Sequence, residues 1–167
     1  MARALLVIDI QNDYFAGGAL PLWQAEETEA RLVAAIGKAR AAGDRVILVQ
    51  HVSTAPTGPF VAGSVGVAIR PAILAAAGEA PIVTKHVADA FQDTDLATHL
   101  NGIDDLLVAG MMTQNCVVFT ALSRAADGLR VRVVGDLCTA PTGVVHQVAL
   151  NALASKTEVA AAAEVWG

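Results

Sequence analysis

The sequence is short of cysteine, of charge and of long apolar runs, and each shortage removes a class of protein. Two cysteines, Cys116 and Cys138, in 167 residues cannot build a disulfide framework, and a cytosolic setting disfavours even one bridge between them. Charged residues make up 16% of the chain, against about 25% in an ordinary soluble domain. The balance is acidic, a formal −5, without any cluster of Lys or Arg; this argues against a nucleic-acid partner. No apolar stretch approaches the ~18 residues that span a bilayer, so no membrane partner is expected. The opening MARALLVIDIQND reaches an Asp at position 9, too early for the apolar stretch and cleavage site of a secretory signal. The chain therefore reads as cytoplasmic. What is abundant is apolar residue, 54%, much of it alanine. That is ample for a core and far from a disordered composition. The length suits one domain over 1–167.

Apolar runs recur at Ala4–Ile10, Arg45–Val52, Pro81–Thr84, Asp105–Ala109, Arg130–Val134 and Thr157–Ala163. Most are continuously apolar, the mark of parallel strands covered on both faces. Helical stretches lie between them. Ala25–Ala42 places Leu32, Ile36 and Ala39 on one face, with Glu26, Glu27 and Glu29 at its start and Lys38 and Arg40 at its end, as the helix dipole favours. Gly43 is a plausible stop. Thr113–Asp127 predicts a second helix with Thr113 as N-cap and Gly128 beyond its end, and Val144–Ala154 a third. Shorter helices are expected near Ile69–Ala77 and Thr94–Asn101. Gln11–Gln24 and Ser53–Gly66 read as irregular. Strands alternating with helices predict right-handed crossovers and a three-layer α/β/α sandwich. The expected sheet is six-stranded, parallel and Rossmann-like, in the order 3-2-1-4-5-6, with ligands at the carboxyl ends of its strands.

Three reactive residues end strands. Asp9 sits inside VIDI, where partial desolvation raises a carboxyl pKa and suits it to acid or base chemistry; an Asp there also commonly caps a turn. Lys85 closes the third run, where a surface lysine is also ordinary. Cys116 falls in the first turn of the helix expected from Thr113, where free amides and the dipole would favour a thiolate; a buried cysteine that merely packs is equally familiar, and Cys138 reads that way. Singly, each signal is modest. Together they place an acid, an amine and a thiol on one edge of the sheet, the elements of an activated nucleophile. Strand three lies two strands from strand one, so the segment after Lys85 is expected to turn inward. Phe15, Trp23, Phe60 and Met112 are candidate walls for a small, partly apolar substrate, each with a core role as its alternative.

Other chemistries fit less well. A dinucleotide site needs a glycine-rich turn after strand one, and the residues there are Asp9-Ile10-Gln11-Asn12. An aspartyl phosphatase would have a second Asp at position 11, which is Gln, and a phospho-receiver would have an acceptor Asp where Lys85 stands.

LLVIDIQNDYF, VTKHVADAFQDTDL and LLVAGMMTQNCVVFTALSRAADGLRVRVVGD occur in this order over almost the whole chain. They resemble the isochorismatase-like cysteine hydrolases. The resemblance implies an Asp–Lys–Cys triad at Asp9, Lys85 and Cys116, a non-proline cis peptide at Met111–Met112, and a homo-oligomer. It also implies a thiol-dependent hydrolase of amide or related C–N bonds. In that reading Asp9 is the general base, Lys85 its electrostatic partner, and the backbone N–H groups of Met112 and Cys116 the oxyanion donors. The alternatives within the resemblance are a vinyl ether hydrolase of the isochorismatase type, or an inactive small-molecule binder. Nicotinamidases of the family hold a metal through an acidic residue followed by histidines. Here Gln50-His51-Val52-Ser53 stands in that place, so no metal and no other cofactor is expected, and His51 is assigned to the pocket wall or the scaffold. The loop Leu137–Gly143 looks short beside that of many relatives.

Overall fold

The computed structural model describes all of residues 1–167. Six strands form one sheet: β1 (Arg3–Ile8), β2 (Arg45–His51), β3 (Ile82–Lys85), β4 (Asp105–Met111), β5 (Arg130–Thr139) and β6 (Glu158–Ala160). Their order is β3-β2-β1-β4-β5-β6 and every pairing is parallel, as the alternation of apolar runs and helices predicts. The helices are α1 (Ala25–Ala41), α2 (Pro71–Ala77), α3 (Leu96–His99), α4 (Val118–Ala121), α5 (Gly143–Ala154) and α6 (Ala162–Trp166). None is long and apolar enough to cross a membrane.

Alternation along β1 explains the three layers. Leu5 and Val7 join one apolar cluster with Leu32, Ile36 and Ala39 of α1 and Ile73 of α2, while Ala4, Leu6 and Ile8 join a second with Leu96 of α3, Ala121 of α4 and Leu153 of α5. Ala4 through Ile8 are at most 1% exposed, so the middle strand has no solvent face. At about 2 kcal/mol for burying each large aliphatic side chain, this strand anchors both layers and holds its last residues rigidly.

Several boundaries differ from the sequence reading, each for a physical reason. The helix expected over Thr113–Asp127 is broken: a π-helical turn (Thr113–Val117) leads into the one-turn α4, then a 3-10 turn (Arg124–Ala126). Met112, extended, precedes the turn in place of the expected Thr113 N-cap. Ser123 caps the 3-10 turn by accepting from the Ala125 N–H and donates to Asp89 Oδ2, so its hydroxyl competes with helix continuation. Strand β5 runs on past Val134 to Thr139, because a register shift between Val108 and Gly110 re-pairs Gly110 with Cys138 and Met111 with Thr139. The first three residues of the expected loop Leu137–Gly143 are therefore strand, Gly143 opens α5, and only residues 140–142 connect the two. The last apolar run divides into β6 and α6, the helix starting where the Ala161 N–H donates to Glu164 Oε2.

Gly110 lies between the sheet and the site. Its φ is +127, and a Cβ there would stand 2.1 Å from the Ile8 carbonyl oxygen. Only glycine lets β4 lie this close to the end of β1.

Candidate active site

β1 ends at Ile8, and Asp9 turns the chain with a φ of +56. Its N–H extends the ladder by donating to the Val49 carbonyl at 3.0 Å. Left-handed φ in a non-glycine residue costs about 1–3 kcal/mol and persists where the surroundings dictate it; short polar Asp is among the residues that tolerate it best. β3 alternates exposed and buried residues, so Val83 and Lys85 face inward. Lys85 is paired with His51 on β2, two strand spacings or about 10 Å from β1. The lysine stem crosses that gap. The expected inward turn of the following segment is also present, bringing the Val87 carbonyl to within 3.0 Å of Lys85 Nζ. β4 runs through Gly110 and the cis Met111–Met112 peptide into the π-helical turn that carries Cys116.

These elements bring Asp9, Lys85 and Cys116 together. Lys85 Nζ lies 2.9 Å from Asp9 Oδ2 and donates to Cys116 Sγ at 3.3 Å. Asp9 and Lys85 are fully buried and Cys116 is 3% exposed. Asp9 Oδ1 is sealed from solvent and meets no donor within the chain. An unpartnered buried acceptor is costly.

Burial pushes the Asp9 carboxyl above its usual range, opposed by the Lys85 charge. Burial, followed by the Asp9 charge, pushes the Cys116 thiol up to about 12, with Lys85 opposing. This corrects the expectation of a thiolate stabilised by a helix start. The five-residue π turn and one-turn α4 supply little dipole, and desolvation outweighs both it and the lysine. At rest the cysteine is a thiol beside a carboxylate of raised proton affinity.

Two neighbours add to the site: Tyr14, which the sequence reading does not single out, and His51, which it assigns to the pocket wall or the scaffold. Tyr14, five residues after Asp9 in the same motif, is buried, and its hydroxyl is pushed upward by burial and then by the charges of Asp9, Cys116 and Asp13. His51 Nδ1 lies 2.9 Å from Lys85 Nζ. Their spacing from Asp9 and Lys85 was visible, but no local pattern says that a tyrosine in a turn or a histidine at a strand end faces them.

The proposed pocket walls separate. Phe60 is 6% exposed and packs edge-on against Tyr14 and His51, with ring centroids 4.8 and 5.7 Å apart. Its own φ is +59, and its N–H donates to Asp13 Oδ2 at 2.7 Å, which fastens the segment 53–66 beside the site. Met112 is half-buried next to the cysteine turn. Phe15 is a core residue, 2% exposed under the Arg70 guanidinium. Trp23 packs on Gly143 and His146 at the start of α5. Cys138 is buried in β5, its Sγ donating to the Val134 carbonyl, and burial pushes its thiol up to about 12.

A family metal does not fit the Gln50–His51 position. No group of three His, Cys, Asp or Glu side chains is placed to hold a cation, and His51 Nδ1 already faces the Lys85 ammonium, a like charge for any metal ion.

The His51 environment has a measurable consequence. Burial and the Lys85 charge lower its pKa from 6.5 to about 4. As pH falls from about 6.5 towards 4, the unfolded chain takes up a proton that folded His51 refuses, so this residue's contribution to stability is lost on acidification. Asp9 acts in the opposite sense, because its raised folded pKa favours proton uptake by the native state. Urea unfolding at pH 7 and pH 5 separates the two: His51→Asn is expected to lose less stability over that interval than the parent, and an identical loss would contradict the buried neutral imidazole.

The isochorismatase domain model matches residues 3–165. An uncharacterized isochorismatase family protein of Bacillus subtilis, YddQ, is 35% identical over 145 residues, covering 85% of this chain and 80% of its own. The nicotinamidase of Escherichia coli is 30% identical over 175 aligned positions, with 81% and 82% covered. Among solved structures, an isochorismatase-like hydrolase from Alkaliphilus metalliredigens superposes with a TM-score of 0.89 at 27% identity, covering 98% of this chain and 96% of its own. With the strand order and a match across nearly its whole length in accord, the chain belongs to the isochorismatase family.

Proposed function

We propose that the chain hydrolyses the C–N bond of a small amide through a covalent Cys116 acyl-enzyme. The observation that carries this reading is the single nitrogen, Lys85 Nζ, contacting both Asp9 Oδ2 and Cys116 Sγ inside a sealed cluster. The family's membership, with a nicotinamidase among the relatives, supports amide-type chemistry.

In the proposed cycle Asp9 takes the thiol proton as Sγ attacks the amide carbon. The raised Asp9 pKa narrows the gap to the thiol and makes this transfer less uphill. Lys85 then faces carboxylic acid and sulfur and compensates the charge that grows on sulfur. The oxyanion is received by the N–H groups of Met112 and Cys116, each such donor being worth about 3 kcal/mol. The Met112 N–H has no acceptor within the chain, as an oxyanion donor requires. Collapse expels the amine, which leaves with the proton from Asp9. Water, deprotonated by Asp9, then attacks the thioester and releases the acid, and the proton returns to sulfur.

A panel of small amides and esters, assayed with and without iodoacetamide, tests the reading. Release of ammonia or amine that alkylation stops is the expected result; turnover indifferent to alkylation would sink it. The same panel after dialysis against a chelator is expected to be unchanged, and a rate lost there and restored by zinc, iron or manganese would overturn the metal-free mechanism.

The catalytic turn also borders an uncharged face. No Asp, Glu, Lys or Arg occurs from Thr113 to Ser123 or from Gly143 to Ala154, and Phe119, Val144 and Val148 are 55%, 75% and 63% exposed. On a chain of net charge −5, this face can meet its own copy without juxtaposing like charges, and we propose it as the self-association surface. Light scattering at micromolar concentration is expected to show an oligomer that Val148→Lys dissociates. A monomeric parent would contradict it.

A further inference from the structure

Four groups surround Lys85 Nζ: Asp9 Oδ2 at 2.9 Å, His51 Nδ1 at 2.9 Å, the Val87 carbonyl at 3.0 Å and Cys116 Sγ at 3.3 Å. An ammonium has three protons and accepts none. His51 Nδ1 can lie this close only as an acceptor, so the ring's own proton is on Nε2. Nε2 makes no hydrogen bond within the chain, yet it is not among the sealed, unpartnered polar atoms. It is therefore an open, unused donor. The ring is half-buried, and edge-on packing against Phe60, itself fixed by Asp13, holds its plane. The titratable groups around it are Lys85 and His86, with Asp9 beyond Lys85. No carboxylate bonds the imidazole; the Val87 carbonyl favours its protonation, but burial and the Lys85 and His86 charges outweigh it.

We propose that His51 is a specificity-determining residue of this site. Locked by Lys85 as the neutral Nε2–H tautomer, it donates that N–H to a second acceptor atom on the substrate, close to the carbonyl that Cys116 attacks. The inference rests on Cys116 as the nucleophile and goes beyond it by naming the substrate class: amides with an additional ring nitrogen, carbonyl or ether oxygen near the scissile group, in preference to purely hydrocarbon amides. A neutral N–H discriminates because an acyl group lacking the acceptor leaves that donor unpaired in the closed site. It would also disfavour a cationic group at that position.

Two measurements test this. In protein labelled with 15N-histidine, His51 is expected to show a neutral imidazole with the proton on Nε2 at pH 7. The signal is assigned by its loss in His51→Asn, or in His51→Gln if the first variant does not fold. An Nδ1–H tautomer or an imidazolium at pH 7 would overturn the proposal. The second measurement uses benzaldehyde and the three pyridinecarbaldehydes, which share one shape and differ in a single acceptor nitrogen. The thiol adds across the aldehyde carbonyl: sulfur bonds to carbon, the thiol proton ends on oxygen, and a reversible hemithioacetal forms without any redox step. Affinity is read as protection of Cys116 against iodoacetamide. His51→Asn retains an acceptor for Lys85 and removes the Nε2 donor. At least one pyridine isomer is expected to gain about tenfold over benzaldehyde in the parent, relative to the same ratio in His51→Asn. Equal ratios in parent and variant, with protection intact, would overturn the role of His51 alone. No protection by any aldehyde would overturn the nucleophile assignment and this proposal together.

Discussion

Cys116→Ser is expected to lower turnover by at least about a thousandfold while leaving the fold intact. The thiol already sits at about 12 in this buried position. A serine hydroxyl starts far less acidic than a thiol, and the same burial would raise it further. Asp9, even with its elevated pKa, could not take that proton at a useful rate. The side chain is only slightly smaller, and Lys85 Nζ can donate to Oγ as it does to Sγ, so stability should change little. Cys138→Ser is the control. Its Sγ donates to the Val134 carbonyl inside β5, and a hydroxyl can do the same, so activity should persist. Circular dichroism and thermal unfolding verify the fold, and initial rates on the best amide of the panel read the effect. Activity that survived the first substitution and died with the second would mean that Cys138 is the nucleophile.

Lys85→Met should be damaging in two ways. The methionine retains much of the stem but leaves Asp9 without a counter-charge in a fully buried setting. Breaking a buried pair from one side costs about 3–5 kcal/mol, less whatever Asp9 recovers by taking up a proton. The sign with pH follows. With Lys85 gone, the folded Asp9 pKa rises further above its unfolded value, so the missing stability is partly regained as pH falls and is worst above neutrality. Activity should fall as well, since a protonated Asp9 cannot act as a base. Alkylation of Cys116 at neutral pH should slow, because the one charge that opposes its raised pKa is removed. Lys38→Met and Lys156→Met should do none of this: both lysines are exposed, Lys38 donating to the Gly167 carbonyl. The double variant Asp9→Asn/Lys85→Met should recover stability without activity, because the uncompensated charge is removed with its partner. An unchanged alkylation profile in Lys85→Met would place the lysine outside the reaction.

Much of the architecture was readable along the chain because its signals are local. A parallel strand buried on both faces is an uninterrupted apolar run, and all six runs begin within one residue of an observed strand. α1 carried its register in Leu32, Ile36 and Ala39, all now in one cluster. Asp9, Lys85 and Cys116 could be singled out because polar residues closing such runs, or following them closely, fall at one edge of a doubly wound sheet. The errors occur where long-range contacts override local preference. The fifth apolar run stops at Val134, before Gly135 and Asp136, yet the register shift against β4 carries β5 through them. Phe15 has the composition of a pocket wall, but the fold sets it under Arg70 in the core. The helix expected from Thr113 is interrupted because the hydroxyl of Ser123 finds Asp89.

The order of strands, the two-sided burial of the sheet and the identity of the three side chains at the strand ends belong to the sequence, since periodicity and chain order carry them. Tertiary packing decided the chemistry's state. That Lys85 spans two strands to touch both Asp9 and Cys116, that the cysteine rests as a thiol and not a thiolate, and that His51 is held neutral with a free Nε2–H all depend on desolvation and on distances between residues up to 107 positions apart. Charge states in a buried cluster are set by what surrounds each group in space, and that information exists only once the chain has folded.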